Sequence, residues 1–153
     1  MVISTKQRSG SITHLLNGTL LSLKTVVPMR FEVMKPQLIE KNFRLTFGVF
    51  IGITGDIKGK LVLSSSTELF SSIGELMFGM PLEGEMLNSF SGELGNMIAG
   101  GLSTNIAEKD ININITAPTI MTGDTTLSGY RKGVEVTTIF EADKEMKLFL
   151  LMD

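Results

Sequence analysis

The chain contains no cysteine. Disulfides and thiolate chemistry are therefore excluded, and a reducing compartment is compatible with the composition. Its one histidine, His14, lies within an apolar helical segment. Without cysteines beside it, a zinc site of Cys and His ligands is not expected. A Ser/His/Asp triad would also have to recruit that one buried-looking imidazole, and is discounted. Acidic and basic residues look interspersed, net charge is −2, and no run of Lys or Arg forms a basic patch. Nucleic acid is accordingly not expected as a partner. No stretch of about 18 apolar residues could span a bilayer, and "MVISTKQRSGS" lacks the apolar centre of a signal peptide. The expected location is the cytoplasm, with no membrane contact. A Gly-rich phosphate loop of the Walker type is missing too.

What is present describes a folded chain. Hydrophobic residues make up 42% and charged residues 20% of 153 positions, which suits one domain over residues 1–153 with a core of ordinary size. Ten methionines and a mean hydropathy of +0.25 are high for a water-exposed molecule, and point either to a buried self-association surface or to core composition alone.

Periodicity divides the chain into elements. Ile12, Leu15, Leu16, Leu20, Leu23 and Val27 recur at helical spacing across 11–27, with Ser9 or Ser11 available as N-cap and Pro28 closing the segment. Residues 43–55 alternate as a strand through Phe43, Leu45, Phe47, Val49 and Ile51. The turn "DIKG" leads into a second strand at 60–66. Ser66 or Thr67 caps a short helix at 68–79, and a longer helix runs from near Glu83 to about Ala107. Strands are expected at 111–123, 133–143 and 146–153, with "RKG" and "DKE" as turns. The two halves share an order: a helix, a short "KPQLI" or "APTIM" segment, then two strands, with "GKLVL" (59–63) echoed by "MKLFL" (146–150). Such a layout predicts an α+β fold, with helices packed on a largely antiparallel sheet and two pseudo-repeated halves.

The helix at 83–107 contains the unusual stretch "SGELGNMIAGG", with glycines at 92, 95, 100 and 101. Each glycine in a helix interior costs about 0.8–1.0 kcal/mol relative to alanine. On a helical wheel Leu87, Phe90, Leu94, Met97, Ile98 and Leu102 share the face expected to be buried. Ser89, Gly92, Glu93, Asn96, Gly100 and Ser103 fall opposite, so that Glu93 and Asn96, three residues apart, project together. Gly101 points toward the core and Gly95 toward its flank. Two accounts follow. Gly92 and Gly100 could clear a low surface around two long polar side chains, letting another molecule approach. Alternatively, the glycines only permit close packing, and Glu and Asn on a solvated face are commonplace.

The stretch 89–107, "SFSGELGNMIAGGLSTNIA", resembles the signature helix of the CheC/CheX family of response-regulator phosphatases. The matching positions are Ser89, Glu93, Asn96 and, some twenty residues later, Pro118 before a strand. The resemblance covers nearly the whole chain and implies a CheC-like fold. In the first half, His14 and Asn17 occupy the places of Glu93 and Asn96, which leaves one motif and resembles the CheX branch. His14 then reads as a structural or surface residue.

The resemblance further implies hydrolysis of the phosphoaspartate of a CheY-like receiver domain, the receiver supplying Mg²⁺ and a lysine. No cofactor or metal of the chain's own is expected. Asn96 would hold the attacking water and Glu93 would pair with the receiver lysine, general-base action by Glu93 being the competing assignment. Ser89, Gly92 and Gly100 would let the receiver's loops come close, while Pro118 shapes the chain. A homodimer with sheets joined across protomers is implied as well. The rival readings are a non-catalytic receiver-binding or flagellar-switch-like module, and a partner protein whose Gly-rich face is only a dimer interface.

Overall fold

A computed structural model describes residues 5–39 and 42–153. The elements follow the order α1 (Thr5–Val26), β1 (Glu32–Val33), β2 (Gln37–Ile39), β3 (Phe43–Gly55), β4 (Gly59–Ser65), α2 (Thr67–Phe78), α3 (Gly84–Ala107), β5 (Ile113–Ile115), β6 (Thr119–Leu127), β7 (Lys132–Ile139) and β8 (Glu145–Met152). A 3₁₀ turn at Glu141–Asp143 separates the last two strands.

Local chemistry accounts for most boundaries. The Ser66 hydroxyl accepts the Leu69 N–H at 3.2 Å and so caps α2, which ends at Gly79 in the left-handed region at φ 75°. Pro28 follows the last turn of α1 as expected. That helix, however, is already formed at Thr5, so neither Ser9 nor Ser11 is its cap. Its first turns are polar, and apolar periodicity gave no signal before Ile12. The expected single strand at 111–123 is in fact two. At the break, Thr116 donates its N–H to the Gly52 carbonyl at 3.0 Å and accepts the Gly52 N–H on Oγ1 at 2.8 Å. Pro118, which has no N–H to donate, stands immediately before β6. Strand β6 runs on to Leu127, so "RKG" opens β7 rather than forming the turn, and β7 stops at Ile139 instead of 143.

All strands pair antiparallel in one sheet, ordered β1-β7-β8-β4-β3-β5, with β2 also on β7 and β6 also on β3. The repeat inferred from sequence is architectural. Val62 faces Phe149, Leu61 faces Leu150 and Leu63 faces Leu148, so "GKLVL" and "MKLFL" meet about a pseudo-twofold axis at the sheet centre. Each half also lends its leading strands to the other: β1 and β2 pair with β7, and β5 and β6 pair with β3.

The helices cover one sheet face over a core that includes Leu15, Leu23, Phe47, Val49, Leu94 and Ile98. Leu45, Val62, Phe149 and Leu151 form a smaller cluster on the other face, with Phe43 stacked on Phe149 at 3.9 Å between ring centroids. A register shift between Leu45 and Phe47 moves the alternation of β3 from one cluster to the other. No helix of the described residues is long and apolar enough to cross a membrane.

Candidate functional site

Packing surrounds α3 on three sides, and on two of them the approach is close. A β-carbon added at Gly95 would lie 2.7 Å from Val49 Cγ1, which presses the helix onto β3. One added at Gly101 would overlap Ser22 Oγ, and that hydroxyl donates to the Ile98 carbonyl at 2.8 Å, joining α1 to α3. Asn105 adds a donation from Nδ2 to the Gly18 carbonyl at 3.0 Å. On the third side, Pro118 and Ile120 stand 3.6 and 3.5 Å from the β-carbon position of Gly92. Gly95 and Gly101 are thus packing glycines, as the wheel suggested.

Above this anchored base, Ser89, Glu93 and Asn96 are exposed. Gly100 is half-buried, and an added β-carbon there meets nothing within 4 Å. Neither Glu93 nor Asn96 makes a side-chain hydrogen bond or ion pair among the described residues. The carboxylate and the amide therefore stand on a rigid helix with no role in holding the fold. Both side chains are open to solvent, so a second macromolecule can reach them directly. Among the described residues no group of three or more His, Cys, Asp or Glu side chains could hold a metal ion. A separate groove of about 720 Å³ runs between α1 and the segment after it, lined by Leu20, Lys24, Met29, Arg30 and Phe31 among others.

Three sequence expectations are corrected here. Gly92 is buried beneath Pro118 and Ile120, so it does not belong to the open face with Glu93 and Asn96. The chain crosses from β5 to β6 beside this turn of α3, and a helical wheel carries no information about that crossing. Met97, placed in the core by the wheel, is 39% exposed and lies next to Asn96. Acids and bases are not interspersed either. From Lys60 to Lys109 there is no Lys or Arg, while Glu68, Glu75, Glu83, Glu85, Glu93 and Glu108 fall in that interval. That asymmetry was readable in the sequence. In the first half Asn17 is exposed and His14 half-buried.

Comparison with known proteins bears on this geometry. Residues 47–140 match the family described as chemotaxis phosphatase CheX. The CheY-P phosphatase CheX of Thermotoga maritima is 40% identical over 76 residues, 48% of this chain and 49% of that protein. The match spans about half the length of that curated relative. A chemotaxis protein CheX from Desulfovibrio desulfuricans superimposes with a TM-score of 0.79 at 15% identity, covering 92% of this chain and 97% of that one. A CheX from Borrelia burgdorferi, solved as a CheX-CheY-BeF3-Mg²⁺ complex, gives 0.75 at 18% identity, covering 92% and 96%. The α+β, CheC-like architecture expected from the sequence is the observed one.

Proposed function

The chain belongs to the CheX family of chemotaxis phosphatases, and on that premise we propose that it hydrolyses the phosphoaspartate of a CheY-like receiver domain in the cytoplasm. One observation carries the reading. Glu93 and Asn96 project together from a helix fixed by close packing, and among the described residues neither side chain makes a hydrogen bond or ion pair.

An acyl phosphate is already activated, so the element a partner must add is a well-placed water. The oxygen of the Asn96 amide accepts a hydrogen bond from that water while its NH₂ can donate to a phosphoryl oxygen. Water oxygen attacks phosphorus, the bond from phosphorus to the aspartyl oxygen breaks, and the products are a free carboxylate and dihydrogen phosphate. Mg²⁺ belongs to the receiver in this scheme. Positioning is the expected source of acceleration for a loose phosphoryl-transfer transition state. Glu93 pairs with the receiver lysine and sets the register. Ser89 and Gly100 keep the approach low, while Gly92, buried beside Pro118 and Ile120, lies outside that face.

We also propose a homodimer in which sheets join across protomers. Strand β6 pairs only with β3 among the described residues, so its far edge is free to take another strand.

The test is phosphate release from a phosphorylated CheY-like receiver. Asn96→Ala should leave receiver binding intact and lower the rate by about a hundredfold, the penalty typical of a misplaced reactant. Normal turnover by that variant refutes the mechanism. Glu93→Lys should chiefly weaken docking, and unchanged affinity refutes the ion pair.

A further inference from the structure

Beside the Glu93–Asn96 stripe runs a second, apolar one. Met86, Phe90 and Met97 follow one another at four and seven residues along α3, and so share a face. Phe90 is buried because Phe78 of α2 covers it, edge to face, with ring centroids 5.6 Å apart. Phe78 is itself 60% exposed, Met86 57% and Met97 39%. From Met86 to Met97 the strip extends roughly 16 Å at 1.5 Å per residue. Flexible thioethers flanking an aromatic ring make an adaptable contact surface.

The surroundings carry charge of one sign. Glu75 at the end of α2, and Glu83 and Glu85 at the start of α3, are exposed and make no ion pair among the described residues. Lys144 reaches α2 but is held at its first turns by Glu68 at 3.3 Å and Ser72 at 3.2 Å.

We infer that this strip and its acidic border form the docking surface that sets affinity for the receiver. The inference rests on the proposed function and deepens it by naming what the receiver must present: an apolar patch edged with Lys or Arg, beside its phosphorylation pocket. Continuity with the site supports that occupant. A standard interface covers about 800 Å² per partner, a disc roughly 32 Å across. A receiver centred on Asn96 therefore covers Met97 and reaches Met86, ten residues or about 15 Å along the helix. A second copy of this chain fits less well. A symmetric contact would bring the acidic border of Glu75, Glu83, Glu85 and Glu93 against the same border of the second copy, and like charges across an interface are strongly unfavourable.

The experiment compares full-length wild type, Glu83→Lys/Glu85→Lys and Met86→Ser/Met97→Ser, with a CheY-like receiver of the host phosphorylated from acetyl phosphate. All replaced side chains are exposed, and circular dichroism checks the fold. Each double variant should raise KM about tenfold with kcat unchanged. The wild-type KM should also climb with salt, and the Lys variant should flatten that dependence. Wild-type KM in both variants overturns the proposal. So does sedimentation showing that either variant separates two copies while receiver affinity is retained. If wild type binds the beryllofluoride-activated receiver without hydrolysing it, and the variants weaken that binding about tenfold, the docking surface stands and the phosphatase reading falls. If wild type binds no receiver, both fall.

Discussion

Adjacent glycines in α3 offer a sharp contrast in which stability and function should move in opposite directions. At Gly100 an added β-carbon meets nothing within 4 Å, so Gly100→Ala carries the helix-propensity gain alone. That gain is about 0.8–1.0 kcal/mol, or roughly 2–4 °C in Tm for a domain of this size. At Gly101 the same atom would overlap Ser22 Oγ, whose hydroxyl is committed to the Ile98 carbonyl at 2.8 Å. Overpacking costs about 1–3 kcal/mol, and a disturbed hydrogen bond adds about 1 kcal/mol. Set against the same propensity gain, Gly101→Ala should lose roughly 1–3 kcal/mol. Urea unfolding at one fixed protein concentration measures both, because association would otherwise shift the midpoint. Phosphate release from phosphorylated receiver then completes the contrast. Gly100→Ala, the more stable protein, should be the poorer phosphatase, since its methyl group intrudes on the face the receiver must approach. Should Gly100→Ala destabilise as much as Gly101→Ala, the open face is misplaced and the clearance argument collapses. A Gly100→Ala protein of full activity would retain the packing account and refute clearance at that position.

Two further outcomes test the frame that carries the site. Ser66→Ala removes the side-chain acceptor of the Leu69 N–H and should lower unfolding free energy by about 1 kcal/mol, read from the shift in urea midpoint at constant m-value. Thr116→Val keeps the shape at the break between β5 and β6 but leaves the Gly52 N–H without its side-chain acceptor. A loss of about 0.5–1.5 kcal/mol is expected, with faster amide exchange at Gly52 as the local readout, and unaltered exchange there would count against the contact.

Much of the frame was legible because it follows from local periodicity. The two-residue alternation of β3 foretold that Phe47, Val49 and Ile51 would be buried, and their exposures of 4%, 0% and 0% agree. The helical spacing of Leu87, Leu94, Ile98 and Leu102 likewise marked the buried side of α3. The division of one expected strand into β5 and β6 was not legible. It depends on a side-chain bond between Thr116 and Gly52, residues 64 apart in the chain. The short strands β1 and β2 were not assigned as strands, although "KPQLI" stood out in the repeat, because their mostly exposed residues are ordered by pairing with β7 rather than by burying an apolar face.

At the site, the same division holds. Sequence alone determined that Glu93 and Asn96 share a helix face, because 100° per residue is a property of the backbone and needs no tertiary contact. It also determined the acidic character of the interval from Lys60 to Lys109. Only the tertiary structure decided which parts of that face are open. Pro118 and Ile120 close over Gly92, while α2 covers Phe90 with Phe78 and leaves Met97 uncovered. A helix sets where its side chains point, and the neighbours that arrive from distant parts of the chain set which of those directions still lead to solvent.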